Sequence, residues 1–354
     1  MNASPTTPVS LGEDRTVTVL MNKVEIGQGI RTAIAQIAAE ELDVSMDRVV
    51  VRSADTDTHF DGASTTGSNS IQGLGSAVRQ AAADIRNHLV TRAAAEWDDF
   101  PENLSVEDGI IRSMSGETAD YWELWPSKDG TRIEWGSGVP KRPEEYQVVG
   151  QSIPRSDLPL KFSTGGNYVQ DMSPKGMLHG RVVRPPSYGA KLLTVNPDVG
   201  SDSRLHLVRD GSFLGVIAED EEEAVQIAAR LADHSTWEET TELPVQRTLY
   251  DHLLSQPDQP LLVVDGKPCD DPIPPIAEPD DSAHTLKATY KRPYQMHGAL
   301  SPSSAMALWD GDDLTVWSHS QGVFSLQGAL GVALGIPTDR VRVLHARRIW
   351  LLRA

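Results

Sequence analysis

The sequence holds one cysteine, Cys269, in 354 residues. A disulfide within the chain is excluded, and so is an iron–sulfur cluster held by its own cysteines. Basic residues are scarce: 32 Lys and Arg stand against 50 Asp and Glu, a formal charge of -18. Such a balance is repelled by nucleic acid and by anionic membrane surfaces. No apolar run approaches the ~20 residues of a membrane span. The closing Ile349-Trp350-Leu351-Leu352 is far too short. No basic segment followed by an apolar one opens the chain, so no signal peptide is expected. The 10 histidines are scattered. His59 and His345 lack a partner at metal-ligand spacing, so each is expected to be an ordinary surface or hydrogen-bonded core imidazole, and no metal ligand is assigned. There is no P-loop lysine and no Gly-x-Ser-x-Gly elbow.

What is present concentrates in residues 24 to 70. Val24-Glu25-Ile26-Gly27-Gln28-Gly29-Ile30-Arg31-Thr32 leads into an Ala-rich run whose apolar residues recur at helical spacing to Leu42. Asp55-Thr56-Asp57 follows the strand-like Val49-Val50-Val51. Thr65-Thr66-Gly67-Ser68-Asn69-Ser70 then opens a second helical pattern running to Trp97. Two small-residue loops that each enter a helix suit an anionic ligand, because glycine lets the backbone approach and unpaired N–H groups attract phosphate oxygens. Alone, Gly27-Gln28-Gly29 lacks the third glycine and the later ribose-binding acid of a dinucleotide fingerprint, and each loop taken singly reads as a turn or a helix cap.

The length bounds two or three domains. Leu104 to Arg112 reads as a hairpin turning at Asp108-Gly109. Residues 113 to 143 read as a wrapping connection whose tryptophans fill a seam. From Tyr146 a β pattern is expected, with strands around Gly180 to Arg184, Leu205 to Val208 and Phe213 to Ala218, and a helix at Glu221 to Ala232. A proline-rich linker spans 241 to 284. Strands at Thr285 to Tyr290, Ser304 to Leu308 and Leu314 to Ser318 follow, then a helix at Phe324 to Leu334 and a strand at Val341 to Leu344. No internal repeat stands out in the sequence.

Taken together, the motifs of Val24 to Val78 resemble the molybdopterin-binding region of the xanthine dehydrogenase and aldehyde oxidase family, the molybdenum hydroxylases. They are the Gly-Gln-Gly loop, Gln36-Ile37-Ala38-Ala39-Glu40-Glu41-Leu42, Asp55-Thr56, and Thr66-Gly67-Ser68. Tyr146 to Trp237 resembles that family's α/β hammerhead domain, through Val149-Gly150, Pro154-Arg155, Asp157, Lys161, Gly176-Met177-Leu178-His179 and Arg184-Pro185-Pro186. Arg155, Asp157 and Lys161 are expected to be a structural ion-pair set. Residues 285 to 346, with Arg292-Pro293-Tyr294, Val316-Trp317-Ser318 and Gln321, resemble the start of a second molybdopterin region. With the hammerhead after the Gly-Gln-Gly region, the order resembles the branch holding the molybdopterin-binding large subunits of nicotinate dehydrogenase and isoquinoline 1-oxidoreductase.

The resemblance implies an α+β fold in four parts: a molybdopterin-binding region over 1–143, a hammerhead domain over 144–240, the linker over 241–284, and the start of a second molybdopterin region over 285–354. It implies that Gly27, Gln28, Gly29, Thr32, Thr66, Gly67, Ser68 and Ser70 bind the pterin and its phosphates, in the cytosine dinucleotide form of the molybdenum cofactor. It puts Gln295 or a neighbour near the metal. The implied reaction is hydroxylation of an N-heteroaromatic or aldehyde carbon with water as oxygen source. Electrons would leave through [2Fe-2S] clusters on a separate small subunit towards a cytochrome or another acceptor. Cytoplasmic location is the expectation, with export alongside a signal-bearing partner as the alternative. The family's base, a glutamate, belongs to a C-terminal half that does not follow here. Where a Cys-Tyr-Gly loop is expected after Leu344-His345-Ala346, the sequence reads Arg347-Arg348-Ile349-Trp350-Leu351-Leu352-Arg353-Ala354. A reading-frame shift would restore E-G-S-G-C-Y-G for suitable codons; a naturally short subunit is the alternative. A catalytically inactive fragment or partner-binding module is therefore the rival reading of function.

Overall fold

Val17 and Val19 point to one side of a short strand and are fully buried, while Thr18 and Leu20 on the other side are half-buried. That alternation fixes the first sheet. In the computed structural model, which describes residues 7–125, 133–162, 168–195, 205–239, 243–258, 260–275, 281, 284–295, 298 and 302–346, β1 (Val9–Leu11) pairs antiparallel with β2 (Val17–Leu20). After β2 the chain passes through the Gly-Gln-Gly turn into α1 (Ile30–Leu42) and returns as β3 (Val49–Arg52), parallel to β2 with Val17 opposite Val49. α1 ends at Asp43, which adopts a left-handed φ of 51°, while Val44 donates back to the Ala39 carbonyl at 3.2 Å. This closes the helix in the manner of a Schellman cap.

The second helical pattern begins as a π-helical turn, Ile71–Gly75, and continues as α2 (Ser76–Trp97). α2 lays Val78, Ala81, Ala82, Ile85 and Leu89 into the core that α1 and the first sheet share. β4 (Leu104–Glu107), β5 (Ile110–Ser113) and β6 (Thr118–Asp120) form an antiparallel meander. Its Asp108-Gly109 turn has φ values of 49° and 77°, the pair that a tight hairpin requires. The Asp108 carboxylate also accepts from the Ser45 amide and from Arg48, so the hairpin is tied to the α1–β3 connection.

The one-turn helix α3 (Tyr121–Leu124) packs Tyr121 and Leu124 on the same core. Of the stretch 113 to 143 expected to wrap, 113–124 instead close the meander and form α3, while residues 133 to 149 run along α1 and α2, held by buried carboxylates. The Asp84 side chain accepts from the amides of Gly136 and Gly138, both at 2.8 Å. Glu40 accepts from the amides of Gln147, Val148 and Val149. A second one-turn helix, α4 (Leu158–Lys161), follows. The β pattern expected from Tyr146 begins only at His179; among the described residues of 146 to 178 there are turns and short helices instead.

Ser173–Gln295 form a separate compact unit. Within it β7 (His179–Val183), β8 (Lys191–Val195), β9 (His206–Asp210) and β10 (Phe213–Ala218) precede α5 (Glu221–Asp233) and β11 (Ser235–Glu238). β10 lies between β7 and β9, and β8 pairs with β11. The Asp220 carboxylate caps α5 by accepting from the Glu223 amide, and three acids fill the first turn, where the helix dipole favours them. Val183, Leu192, Leu214, Val216, Ile227 and Leu231 form this unit's core. The proline-rich stretch carries α6 (Leu249–Ser255) and a hairpin of β12 (Leu262–Val264) and β13 (Lys267–Cys269). Among the described residues, Thr285 to Tyr290 are exposed and form no strand where one was expected.

The chain then rejoins the first unit, which comprises Met1–Met172 and Met296–Ala354. β14 (Ala305–Asp310) pairs antiparallel with β15 (Asp313–Ser318); α7 (Val323–Leu334) crosses to β16 (Val341–His345), parallel to β15 with Leu314 opposite Val341. This repeats the hairpin, helix and parallel strand of β1 to β3. The repeat is faint in the sequence, where Gln28-Gly29 and Gln321-Gly322 precede the two helices, Leu42 and Leu334 end them, and Asp47-Arg48-Val49-x-Val51 matches Asp339-Arg340-Val341-x-Val343. Among the described residues no helix is long and apolar enough to cross a membrane.

Candidate functional site

Each repeat sends a loop from the C-terminal end of its second strand into the N-terminus of its helix. Ends of parallel strands are where open α/β layers place ligands. The loop after β2 contains the Gly-Gln-Gly motif; the loop after β15 runs from His319 to Gly322. Hydrogen bonds join each of these loops to Thr65, at the start of the Thr65–Ser70 segment.

Thr65 is the junction. It is buried, and its hydroxyl accepts from the Val24 amide at 2.9 Å. Its own amide donates to the Gln321 carbonyl at 2.8 Å, and its carbonyl accepts from Gln321 Nε2 at 2.7 Å. Beside it the buried Lys23 ammonium donates to the carbonyls of Gly62 and Ser64. A second tie runs from Asp55 to Arg342, whose Nε and Nη2 donate to the two carboxylate oxygens at 3.0 and 2.6 Å. Burial pushes the Asp55 pKa up, but the Arg342 hydrogen bonds and charge outweigh it and hold the group below the usual carboxylate range. The Thr56 hydroxyl accepts from the Val343 amide, and the His345 amide donates to the Ala54 carbonyl. The His345 ring is buried with Nε2 at 3.2 Å from the Glu25 carbonyl. Burial lowers its pKa to about 4, so it is neutral at physiological pH. Val24, Ile26, Ala54, Leu314, Val316, Val323, Val341 and Val343 close into one apolar cluster beneath these ties.

The expected ligand-binding residues divide into two groups. Thr66, Gly67 and Ser68 are exposed, and Ser70 is half-buried. Gly67 and Ser68 both have left-handed φ values, 63° and 56°. Ser70 already has helical backbone angles and leads directly into the π turn and α2. This loop therefore offers hydroxyls and amides at the positive end of a long helix, which fits a phosphate.

The other group is differently disposed. The buried Glu25 carboxylate accepts from the Gly27 amide at 2.8 Å, the Gly29 amide at 3.0 Å and the Arg31 amide at 3.2 Å. The amides that the sequence offers to an anion are thus taken by a side chain of the same loop. Gln28 is exposed, with Oε1 accepting from the Ile26 amide and Nε2 donating to the Val24 carbonyl. Thr32 is buried, and its hydroxyl accepts from the Ser156 amide at 3.0 Å. Arg155 Nη1 donates to the Gly27 carbonyl at 2.9 Å.

Arg155 also pairs with Asp157 through Nε and Nη2, and Lys161 pairs with the same carboxylate. Burial of Asp157 works against ionisation, but the hydrogen bonds from Arg155 and Lys161 bring its pKa down to about 2. The ion-pair set anticipated from the sequence is present, and it is seated on the Gly-Gln-Gly turn. Gln295 belongs to the Ser173–Gln295 unit, where it is exposed and accepts from Arg292 at 3.0 Å. Lys23 is an organiser that reading the sequence missed, while Glu25, Thr65 and Gln321 stood out there only within motifs, with no such role assigned. The signal for Glu25 was present: an acid two residues before a glycine turn is positioned to cap the helix that follows.

A family model described as a molybdopterin cofactor-binding domain matches residues 1–134, and a second of the same description matches residues 276–348. The B subunit of nicotinate dehydrogenase from Pseudomonas putida is 32% identical over 355 aligned residues, covering 95% of this chain and 29% of the relative. The membrane-bound aldehyde dehydrogenase [pyrroloquinoline-quinone] of Gluconacetobacter polyoxogenes is 30% identical, covering 54% of this chain and 26% of the relative. The beta subunit of isoquinoline 1-oxidoreductase from Brevundimonas diminuta is 27% identical, covering 52% and 29%. The chain spans less than a third of the length of each of these relatives. Two matched regions and the fold they build define a molybdopterin-binding protein, and the chain belongs to the large subunits of the molybdenum hydroxylase family.

Proposed function

We propose that this chain forms part of a molybdenum-cofactor-dependent oxidoreductase subunit acting on an N-heteroaromatic or aldehyde carbon. The observation that carries the reading is the closure of two distant stretches, 23–70 and 318–345, into one cluster through Thr65–Gln321, Asp55–Arg342 and Glu25–His345. Both stretches fall within regions matched by molybdopterin-binding family models.

When bound, the cofactor supplies two-electron oxidation with oxygen drawn from water. The residues of this chain hold and orient it. The amides and hydroxyls of Thr66, Gly67, Ser68 and Ser70 receive its phosphate groups at the start of the α2 helix. Gln28, anchored at both ends of its amide, presents a fixed polar edge to the ligand. Gly27, Gly29 and Thr32 shape the turn rather than contact the anion. We assign the cytosine dinucleotide form to the cofactor on the strength of the resemblance in domain order. One cysteine cannot ligate a cluster, so electrons pass to a partner carrying [2Fe-2S] centres.

The test is metal and pterin content after production in a host that makes the cofactor. Stoichiometric molybdenum with pterin, and cytidine monophosphate released on acid hydrolysis, is the expected result. A chain that folds and carries neither overturns the reading for residues 1–354.

A further inference from the structure

The Gly27–Arg31 turn has the outward form of an anion site: two glycines with positive φ, 108° and 82°, at the mouth of a 13-residue helix. Its interior is already filled. Glu25 is 5% exposed and both of its carboxylate oxygens are engaged, Oε1 by the amides of Gly27 and Gly29 and Oε2 by the amide of Arg31. The nearest cation is Arg155, with Nη2 at 3.8 Å from Oε1. That guanidinium is fixed in turn by Asp157 and by the Gly27 carbonyl. A buried charged acceptor held by three backbone donors takes the amides of Gly27, Gly29 and Arg31 away from a second anion. A second carboxylate or phosphate there would face Glu25 at close range in a medium of reduced dielectric, where like charges repel strongly.

We infer that Glu25 is the resident anion of the Gly-Gln-Gly turn, a specificity-determining residue that excludes phosphate from it and restricts the ligand group resting on Gln28 to an uncharged one. Gln28 supports the second half of this statement. With Oε1 receiving the Ile26 amide and one Nε2 hydrogen given to Val24, it retains one donor and one acceptor site. Those match an uncharged hydrogen-bonding edge in full, whereas an anion could use only the donor. The inference deepens the proposed function by assigning the two loops different parts of one ligand. The phosphate belongs to Thr66–Ser70 and the neutral edge to Gln28.

The test uses inorganic phosphate and the isotope-labelled full chain, so it does not depend on cofactor loading. In the wild-type protein the amide resonances of Gly27, Gly29 and Arg31 stay fixed as phosphate is added against a chloride control of equal ionic strength. In Glu25→Ala the same three amides, facing Arg155, acquire a saturable phosphate response at concentrations at least tenfold below any seen for the wild type. Glu25→Gln keeps Oε1 as an acceptor for the Gly27 and Gly29 amides, removes the charge and turns an NH2 donor towards the Arg31 amide; it shows the gain in weaker form, at Arg31 first, and carries the test if the alanine variant does not fold. Phosphate shifts at these amides in the wild type, or no gain in either variant, overturn the inference. Molybdenum and pterin content, measured separately, reports on the proposed function, so the two can fail independently.

Discussion

Gln321 and Thr65 lie 256 positions apart and hold each other by two hydrogen bonds: Gln321 Nε2 donates to the Thr65 carbonyl at 2.7 Å, and the Thr65 amide donates to the Gln321 carbonyl at 2.8 Å. The pairing is the form a two-residue ladder would take, made by a side chain on one side. Replacing Gln321 with Ala leaves a buried carbonyl without its donor, at a cost of about 1–3 kcal/mol. We expect Gln321→Ala to lower the urea midpoint and to speed hydrogen exchange at Val24 and Thr65, with α5 in the other unit unaffected. Unchanged exchange at Thr65 would show that the backbone bond alone suffices.

Glu40 holds the wrapping segment. It is 2% exposed, and one oxygen receives three amides while the other lies 3.2 Å from Lys141 Nζ. Burial raises its pKa, but the hydrogen bonds from Val149, Val148, Lys141 and Gln147 outweigh that and leave it lowered. A depressed folded pKa contributes stability above the unfolded value of 4.5, and that contribution is lost as pH falls through the folded value. Glu40→Ala strands three amide donors while Lys141 keeps its contact with Asp43, so a loss of about 3 kcal/mol is expected in denaturant titrations at pH 7. The difference from wild type should shrink as pH falls below 4.5.

His345 works in the opposite part of the pH scale. Its folded pKa is about 4, against 6.5 unperturbed, because burial disfavours the imidazolium. The unfolded chain therefore binds the proton first, and stability falls as pH drops from 6.5 towards 4. Thermal melts of wild type at pH 7 and pH 5 should differ by more than those of His345→Gln, which cannot titrate. Equal pH dependence in the two proteins would remove His345 from the account.

Gly29 has φ 82°, and a Cβ built there would come within 3.4 Å of Arg155 Nε. Gly29→Ala is expected to cost about 1–2 kcal/mol through backbone strain. The same change should loosen Arg155 from the turn, seen as a shift of the Gly27 carbonyl resonance. An alanine variant as stable as wild type would mean that the turn relaxes without penalty.

Much of the local structure was legible in the sequence. The helical period of Ile30 to Leu42, the Asp108-Gly109 turn and the alternation in Phe213–Ala218 each follow from side-chain direction in a helix or strand, a property of a few consecutive residues. The pairing of Arg155, Asp157 and Lys161 was legible for the same reason, since two and four positions separate them. Thr285 to Tyr290 misled because alternation alone does not supply a neighbouring strand. The tail after Ala346 and the expected loop there lie outside the described residues.

By itself the sequence determined which loops are built of glycine and hydroxyl residues, that no cluster could be ligated by one cysteine, and which family's motifs the chain carries. Only the tertiary structure decided how those loops are used. Glu25 turns its carboxylate onto the amides of Gly27, Gly29 and Arg31, while Thr66 to Ser68 remain exposed at the head of α2. The Gly-x-Gly motif states that an anion is welcome. Which anion arrives first depends on where a neighbouring side chain points after the β2 strand and α1 have packed, and no spacing along the chain encodes that.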